Sequence, residues 1–162
     1  MSAVELRVGI VGAGSVGGLG GRDNSHAGGY RRCPEADLVA VADINPQRLQ
    51  QFGDEWEVPN QHRYETAQAM YENAKLDIVS VTTHNFHHHQ PVIDAAEAGV
   101  KVILVEKPLA ISVELGRKMV ESCAEHGCRL IVDHTRRFLP HYRKLKRMVS
   151  EGTVGEVRTI TY

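Results

Sequence analysis

A lysine placed directly after a buried strand is the residue whose chemistry stands out in this chain. Lys107 follows the apolar run 102–105 and Glu106. A short run of this kind predicts a buried strand, and an open parallel sheet binds its ligands in the crevice at the carboxyl ends of its strands. An amino group in that crevice can hold or move a proton on a bound molecule. Lys107 is therefore our candidate acid–base residue.

A glycine pattern follows the first apolar run and suits a phosphate group. In Gly12-x-Gly14-x-x-Gly17, the glycines permit a tight turn and bring backbone N–H groups close to a pyrophosphate, and a side chain at Gly14 would collide with it. Asp43 ends the next apolar run, where a carboxylate accepts hydrogen bonds from a ribose 2′-hydroxyl and repels a 2′-phosphate. We therefore expect NAD rather than NADP. A glycine-rich loop without a ligand is the alternative.

The glycine loop is longer than the usual pattern. Residues 18–23 separate Gly17 from the predicted helix. For this reason Asp43 comes later than the roughly 20 residues that normally separate the glycines from the acidic residue.

A cluster of histidines follows another predicted strand, at His84, His87, His88 and His89. Neutral imidazoles are good metal ligands. Neighbouring residues of a helix point in different directions, however, so these side chains cannot all face one ion. We favour a cofactor-lining loop with one functional histidine over solvent-exposed histidines and over a metal site, and we expect no metal.

The composition excludes several classes of protein. The chain has 162 residues, 42% of them hydrophobic, a formal net charge of −1 and a pI near 6.8, which fits one domain with its own core. Near-neutral charge gives no general attraction for nucleic acid, and no apolar stretch reaches the roughly 18 residues of a membrane span. The three cysteines cannot all pair, and no signal peptide precedes the first strand, so we expect a reducing cytoplasm. Cys123 and Cys128, five apart on a predicted helix, are interpreted as partly buried rather than metal-binding or redox-active.

Predicted strands and helices alternate along the chain. The strands are expected at 6–11, 37–43, 77–82, 101–106 and 129–133, and the helices from Asn24 or Ser25 to about Cys33, from Asn45-Pro46 onwards, and at 66–73, 90–98 and 112–126, with 53–63 irregular. Alternation of this kind predicts the α/β class: a doubly wound parallel sheet of the Rossmann type, with helices on both faces and right-handed crossovers.

The last part of the chain has two further patterns. Leu139, Tyr142, Leu145 and Met148 recur at helical spacing, so the basic residues among them are interpreted as the exposed face of an amphipathic helix. The alternating, β-branched segment 154–162 predicts a strand. That strand either joins the same sheet or begins a second domain. We divide the chain into a dinucleotide-binding domain at 1–150 and the start of a truncated second domain at 151–162.

Taken together, these motifs resemble the amino-terminal domain of the glucose–fructose oxidoreductase, inositol dehydrogenase and rhizopine-catabolism (Gfo/Idh/MocA) family. The resemblance rests on the glycine motif, His26-Ala27 with Tyr30, the strand 39–43, Thr83-x-Asn85-x-x-His88, Glu106-Lys107-Pro108-Leu109-Ala110, and Arg137-Phe138-x-Pro140. Glu-Lys-Pro is the more specific of these motifs, because many Rossmann proteins share the glycines. The chain departs from the family pattern at His84, where proline is usual, at Thr135, where asparagine is common, and in its extended glycine loop.

The resemblance implies NAD(P)-dependent hydride transfer on a sugar, cyclitol or related polyol. Lys107 would hydrogen-bond the reacting hydroxyl, and Glu106 with the 83–88 loop would line the nicotinamide side. The expected cofactor-binding residues are Gly12, Gly14, Ser15, Val16, Gly17, Asp43, Thr82, Thr83, His84, His88, Glu106, Lys107 and Arg137. The family continues into a substrate domain, so we expect this chain alone to be inactive and to self-associate through 154–162. A stand-alone dinucleotide-binding or sensing module is the alternative.

Overall fold

A single parallel sheet organises the molecule. The computed structural model of the chain describes residues 6–161. Its six strands lie in the order β3-β2-β1-β4-β5-β6, which is the Rossmann arrangement that the alternating pattern predicted. The strands are β1 (Leu6–Val11), β2 (Ala36–Ala42), β3 (Arg63–Tyr64), β4 (Ile78–Val81), β5 (Val102–Glu106) and β6 (Arg129–Asp133).

Six α-helices connect and follow these strands. They are α1 (His26–Arg31), α2 (Pro46–Glu55), α3 (Ala67–Asn73), α4 (His89–Glu97), α5 (Val113–Glu125) and α6 (Pro140–Ser150), with 3₁₀ turns at Asn60–His62, Asn85–His87 and Thr135–Arg137. The helices α1, α2, α3 and α5 begin after capping residues: the side chains of Ser25, Asn45, Thr66 and Ser112 each accept a backbone N–H of the following turn. These bonds satisfy donors that an uncapped helix leaves unpaired.

The helices cover the sheet with two core clusters. One is built by α3, α4 and α5 with the strands and includes Met70, Val92 and Met119, all fully buried. The other is built by α1 and α2 and includes Ile10 and Phe52. Helices on both faces explain why successive residues of β1 and β4 are buried instead of alternating between core and solvent.

Two local expectations were wrong. The segment 53–63 is not irregular throughout, because α2 runs to Glu55 and the two-residue strand β3 pairs with the end of β2. A strand of two residues is too short to give a sequence pattern. Cys128 also lies beyond α5 and not on it: Gly127 adopts a φ of +66°, and the Cys128 N–H donates to the Cys123 carbonyl at 2.7 Å. This Schellman ending brings the two cysteines together.

The carboxyl-terminal segment differs most from expectation. Residues 151–161 form turns and irregular backbone, and within the described part of the chain they pair with no strand. A strand is stable only when its backbone groups find a partner. The alternating pattern at 154–161 was therefore not sufficient to form a strand. Tyr162 lies outside the described residues. The helix α6 is confirmed, but its apolar stripe does not pack on the core, since Leu145 is 55% exposed.

The division of the chain at residue 150 and the self-association through 154–162 remain predictions.

Among the helices of residues 6–161, none combines the length and apolarity needed to cross a bilayer.

Candidate functional site

The glycine loop follows β1 and packs against the residues at the carboxyl end of β4. Gly12 has a φ of +100°, and a Cβ there would lie 2.8 Å from the backbone of Thr82 and Thr83. The Thr82 hydroxyl donates to the Gly12 carbonyl at 2.7 Å and holds this approach. At Gly14, in contrast, a Cβ would meet no atom within 4 Å. The first glycine is therefore needed by the fold, whereas the second leaves open space for a ligand.

The extended part of the loop lies between the turn of the glycine motif and α1, and backbone hydrogen bonds connect that turn directly to α1. The His26 N–H donates to the Val16 carbonyl at 3.1 Å, and the Ala27 N–H donates to the Gly17 carbonyl at 3.0 Å. The helix α1 thus continues the turn of the glycine motif, and residues 18–25 form an excursion from it. The N–H groups at the start of α1 are consequently used within the protein.

The excursion is fixed to the end of α2. The Trp56 indole N–H donates to the Gly18 carbonyl at 2.9 Å. The Glu55 carboxylate accepts the Gly20 and Gly21 N–H groups at 2.7 and 3.2 Å. These contacts hold a glycine-rich segment that would otherwise be costly to order.

Asp43 lies at the end of β2 and binds the protein's own backbone. Its Oδ2 accepts the Ala13 N–H at 2.6 Å, and its Oδ1 accepts the Asn45 N–H at 2.8 Å. A carboxylate offers about four acceptor sites, so it retains capacity for ligand hydroxyls. Asp43 and Arg48 line one cavity.

This cavity, which we call the glycine-loop cavity, has a volume of about 540 Å³. Its size falls within the roughly 300–1,000 Å³ of small-molecule sites. Gly12, Gly14 and Asp43 line it together with Thr82, Thr83, His84 and His87. The open space at Gly14 and the carboxylate of Asp43 fit the phosphate and ribose of a dinucleotide, because the first needs close backbone approach and the second needs an acceptor.

A second cavity, which we call the lysine cavity, has a volume of about 750 Å³. Ser15 and Val16 of the glycine loop line it, with Glu106, Lys107 and Thr135 at the carboxyl ends of β5 and β6. Lys107 is exposed, and within residues 6–161 its ammonium makes no hydrogen bond or ion pair. The side chain is thus available to a molecule in this cavity.

Two expected cofactor-binding residues lie elsewhere. His88 is 1% exposed and lines neither cavity; its Nδ1 lies 2.9 Å from the Pro108 carbonyl oxygen and its Nε2 lies 3.1 Å from that of Thr83. The ring therefore ties the Thr83 loop to the segment after Lys107. Arg137 lies in the exposed turn Thr135–Arg137 and also lines neither cavity. A turn after the strand, which the sequence did not indicate, carries Arg137 away.

The motifs did not indicate that His26, Tyr30 and Glu106 belong to one polar cluster beside Lys107. His26 places its Nδ1 2.9 Å from the Ser80 hydroxyl oxygen, which also lies 2.7 Å from the Tyr30 hydroxyl. Burial raises the pKa of Tyr30. The His26 Nε2 lies 3.2 Å from Glu106 Oε1 and 3.6 Å from Asp133 Oδ2.

One signal could have revealed part of this cluster. Asp133 ends the last strand of the sheet, just as Glu106 ends β5, and the two strands place Glu106 opposite Asp133. Like Lys107, Asp133 therefore lies at the carboxyl ends of the strands, where open sheets bind their ligands.

Comparisons with known proteins agree with this geometry. A family described as the GFO_IDH_MocA oxidoreductase family, NAD-binding Rossmann fold, matches residues 6–134. D-glucoside 3-dehydrogenase of Escherichia coli is 33% identical over 161 residues, covering 99% of this chain and 44% of its own length. 2,7-anhydro-N-acetylneuraminate hydratase of Mediterraneibacter gnavus is 34% identical over 148 residues, covering 91% and 36%.

A solved structure matches as well. The crystal structure of scyllo-inositol dehydrogenase from Lactobacillus casei, with bound NAD(H) and scyllo-inositol, superposes with a TM-score of 0.82 at 26% identity, covering 94% of this chain and 43% of that one. This chain thus spans less than half the length of the relatives that it matches.

Proposed function

This chain belongs to the Gfo/Idh/MocA oxidoreductase family, and on that basis we propose that it binds NAD(H) in the glycine-loop cavity and serves as the cofactor-binding part of a polyol dehydrogenase. The observation that carries the proposal is the arrangement of Gly14 and Asp43. Open space and a carboxylate lie in one cavity at the point where the strand order reverses between β1 and β4, which is where open α/β sheets bind their ligands.

The preference for NAD over NADP rests on Asp43. A carboxylate that lines the cavity accepts hydrogen bonds from ribose hydroxyls, and it repels the extra charge of a 2′-phosphate. Because both of its oxygens are already held by backbone N–H groups, the carboxylate cannot turn away from the ligand.

The proton-handling role falls to Lys107. When bound, the nicotinamide ring accepts or donates a hydride at a carbon atom, and oxidation of an alcohol also releases the hydroxyl proton. The Lys107 ammonium lines the lysine cavity beside Ser15 and Val16 of the glycine loop. We assign it to hold the substrate hydroxyl and to assist the transfer of its proton.

We assign a polyol as the substrate class. Two relatives support this assignment, because their names are D-glucoside 3-dehydrogenase and scyllo-inositol dehydrogenase. The hydratase among the relatives is consistent with the same cofactor site serving a different overall reaction. A cofactor-binding module without turnover is the second candidate.

The test combines binding with turnover. Calorimetric titration of the chain with NAD⁺ and NADH measures cofactor affinity, and absorbance of NADH reports oxidation of glucosides and inositols. Binding that is lost in Gly14→Val supports the cofactor site. Failure of NAD(H) to bind would overturn the proposal. Because this chain alone is expected to be inactive, only binding without turnover in a longer form that includes a substrate domain would favour the second candidate.

A further inference from the structure

A histidine and two carboxylates converge beside the lysine cavity from three separate elements. His26 comes from the start of α1, Glu106 from the end of β5 and Asp133 from the end of β6. Their ligand atoms all lie within 4.8 Å of one another. The side chains are 6%, 14% and 23% exposed, so the group is largely shielded from solvent and has one side toward the lysine cavity.

The separations between these atoms suit a shared ion. His26 Nε2 lies 3.2 Å from Glu106 Oε1 and 3.6 Å from Asp133 Oδ2. Metal–ligand bonds of about 2.0–2.2 Å at tetrahedral angles place neighbouring ligand atoms about 3.3–3.6 Å apart. The two distances from His26 Nε2 are close to this range, and the two carboxylate oxygens lie within 4.8 Å of each other.

The charge of the cluster favours a cation. Glu106 and Asp133 are opposite each other on adjacent strands, and within residues 6–161 their only ion-pair partner is His26. Two shielded carboxylates of like charge repel each other unless a proton or a cation lies between them.

Each ligand is oriented by a second contact on its other atom. The Ser80 hydroxyl holds His26 Nδ1, and Tyr30 in turn holds Ser80. The Lys107 N–H donates to Glu106 Oε2 at 3.2 Å, and the Thr135 hydroxyl donates to Asp133 Oδ1 at 3.3 Å. Nε2, Oε1 and Oδ2 are thereby left facing one another. Such outer contacts are typical of metal ligands, which they hold in the binding orientation.

We propose that His26, Glu106 and Asp133 bind a divalent first-row transition-metal ion through Nε2, Oε1 and Oδ2. The imidazole favours zinc or manganese over magnesium and calcium, whose preferred ligands are all oxygen. The binding form is the imidazole that carries its hydrogen on Nδ1 and donates it to Ser80, so that the Nε2 lone pair faces the ion. Three protein ligands leave a coordination position for water, on the side of the lysine cavity. None of the three ligands lines the glycine-loop cavity, so zinc binding can be measured without NAD(H).

The experiment measures zinc binding to the full chain, free of any histidine tag and first stripped with a chelator. Calorimetry at neutral pH is expected to show one zinc ion per chain and no binding of magnesium at the same concentrations. Binding should weaken as the pH falls, because protons compete for the imidazole and for the carboxylates. Asp133→Asn, which keeps the shape of the most exposed ligand, should weaken zinc binding by about 100-fold, and Ser80→Ala by about 10- to 100-fold.

The histidine segment supplies the matched control, because it is the other place where zinc could bind. The double variant His87→Gln and His89→Gln should leave zinc affinity unchanged. Cobalt(II) absorption and the shift of the His26 ring signals in NMR spectra test the native protein directly, should a variant fold poorly. Absence of zinc binding, equal affinity in Asp133→Asn, or loss of binding in the double variant would overturn the proposal.

Discussion

The carboxylate of Asp43 accepts the N–H of Ala13 at 2.6 Å. The residue that follows β2 therefore fixes the loop that follows β1. One side chain therefore shapes the glycine loop and lines the cavity beside it. Stability and ligand preference are coupled at this residue, and a substitution will change both.

Asp43→Ala should narrow the preference for NAD(H) over NADP(H) by at least about tenfold, because like charges placed together cost several kcal/mol and about 1.4 kcal/mol is a tenfold change in affinity. Arg48 remains in the cavity and can pair with the 2′-phosphate. The ratio of the two dissociation constants, measured by calorimetry, is the informative quantity. A general loosening of the loop affects both ligands alike and cancels in that ratio.

The same variant should also unfold at lower denaturant concentration. The N–H groups of Ala13 and Asn45 lose their acceptor, at a cost of about 1–3 kcal/mol. Adding Arg48→Ala should remove any gain in NADP(H) affinity. An unchanged ratio in Asp43→Ala would show that Asp43 does not select the cofactor.

The two first glycines of the motif should respond differently to substitution. Gly14→Val should abolish cofactor binding while leaving the melting temperature nearly unchanged, because its side chain would enter open space. Gly12→Ala should lower the free energy of unfolding by more than about 1 kcal/mol, because the φ of +100° and the backbone at 2.8 Å both oppose a Cβ. Thermal unfolding with and without NADH measures both effects. A Gly14→Val protein that still bound NADH would place the cofactor elsewhere.

Lys107→Ala should separate chemistry from binding. In a form of the protein that oxidises a polyol, the variant should lose about 10²- to 10⁴-fold in turnover, the usual effect of removing an acid–base group. Cofactor affinity should stay within about threefold of the original, because Lys107 does not line the glycine-loop cavity. Lys118→Ala, on the exposed face of α5 in a pair with Glu114, is the matched control. Near-normal turnover of Lys107→Ala would remove it from the mechanism.

The exposed apolar residues of α6 should promote association between chains. Val149 and Leu145 are 42% and 55% exposed, and the segment 151–161 adds further exposed apolar side chains. Light scattering should show a mass that rises with concentration, and Leu145→Lys should reduce that rise. If a chain ending at Ser150 associates as strongly as the full chain, α6 rather than the predicted strand is responsible. A strictly monomeric protein at high concentration would contradict both interpretations.

The sequence predicted most of the fold because the strong signals are local. Long apolar runs bounded by Gly127, Asn45 or Ser112 are recognisable without tertiary information, and they placed the elements within a few residues. What it could not predict depends on contacts between distant residues. The pairing of β3 with β2 and the anchoring of Gly18 by Trp56 are of this kind.

The same limit applies to the candidate site. Glycine spacing and strand ends pointed to Gly14, Asp43 and Lys107, because a motif can be recognised from the order of its residues. The inward orientation of His88 could not be predicted, since only the fold shows that its ring lies between two carbonyl oxygens.

Cysteine reactivity should follow burial. Burial raises the pKa of the Cys123 thiol to about 12, and it also raises that of Cys128, whereas Cys33 is exposed. At neutral pH a thiol reagent should modify Cys33 rapidly and the other two only as the protein unfolds, because the thiolate is the reactive form.

The same shift has a consequence for stability. Since the folded-state pKa of Cys123 exceeds its unfolded value of about 8.5, the unfolded chain loses this proton first as the pH rises. Stability should therefore be unaffected by Cys123 below about pH 8 and should decline above it. Cys123→Ala should weaken that decline, although it lowers stability at neutral pH by removing buried volume. Urea unfolding of both proteins from pH 7 to 10, with mass spectrometry of the labelled cysteines, measures these effects. Rapid labelling of Cys123 in the folded protein would contradict the buried arrangement at the end of α5.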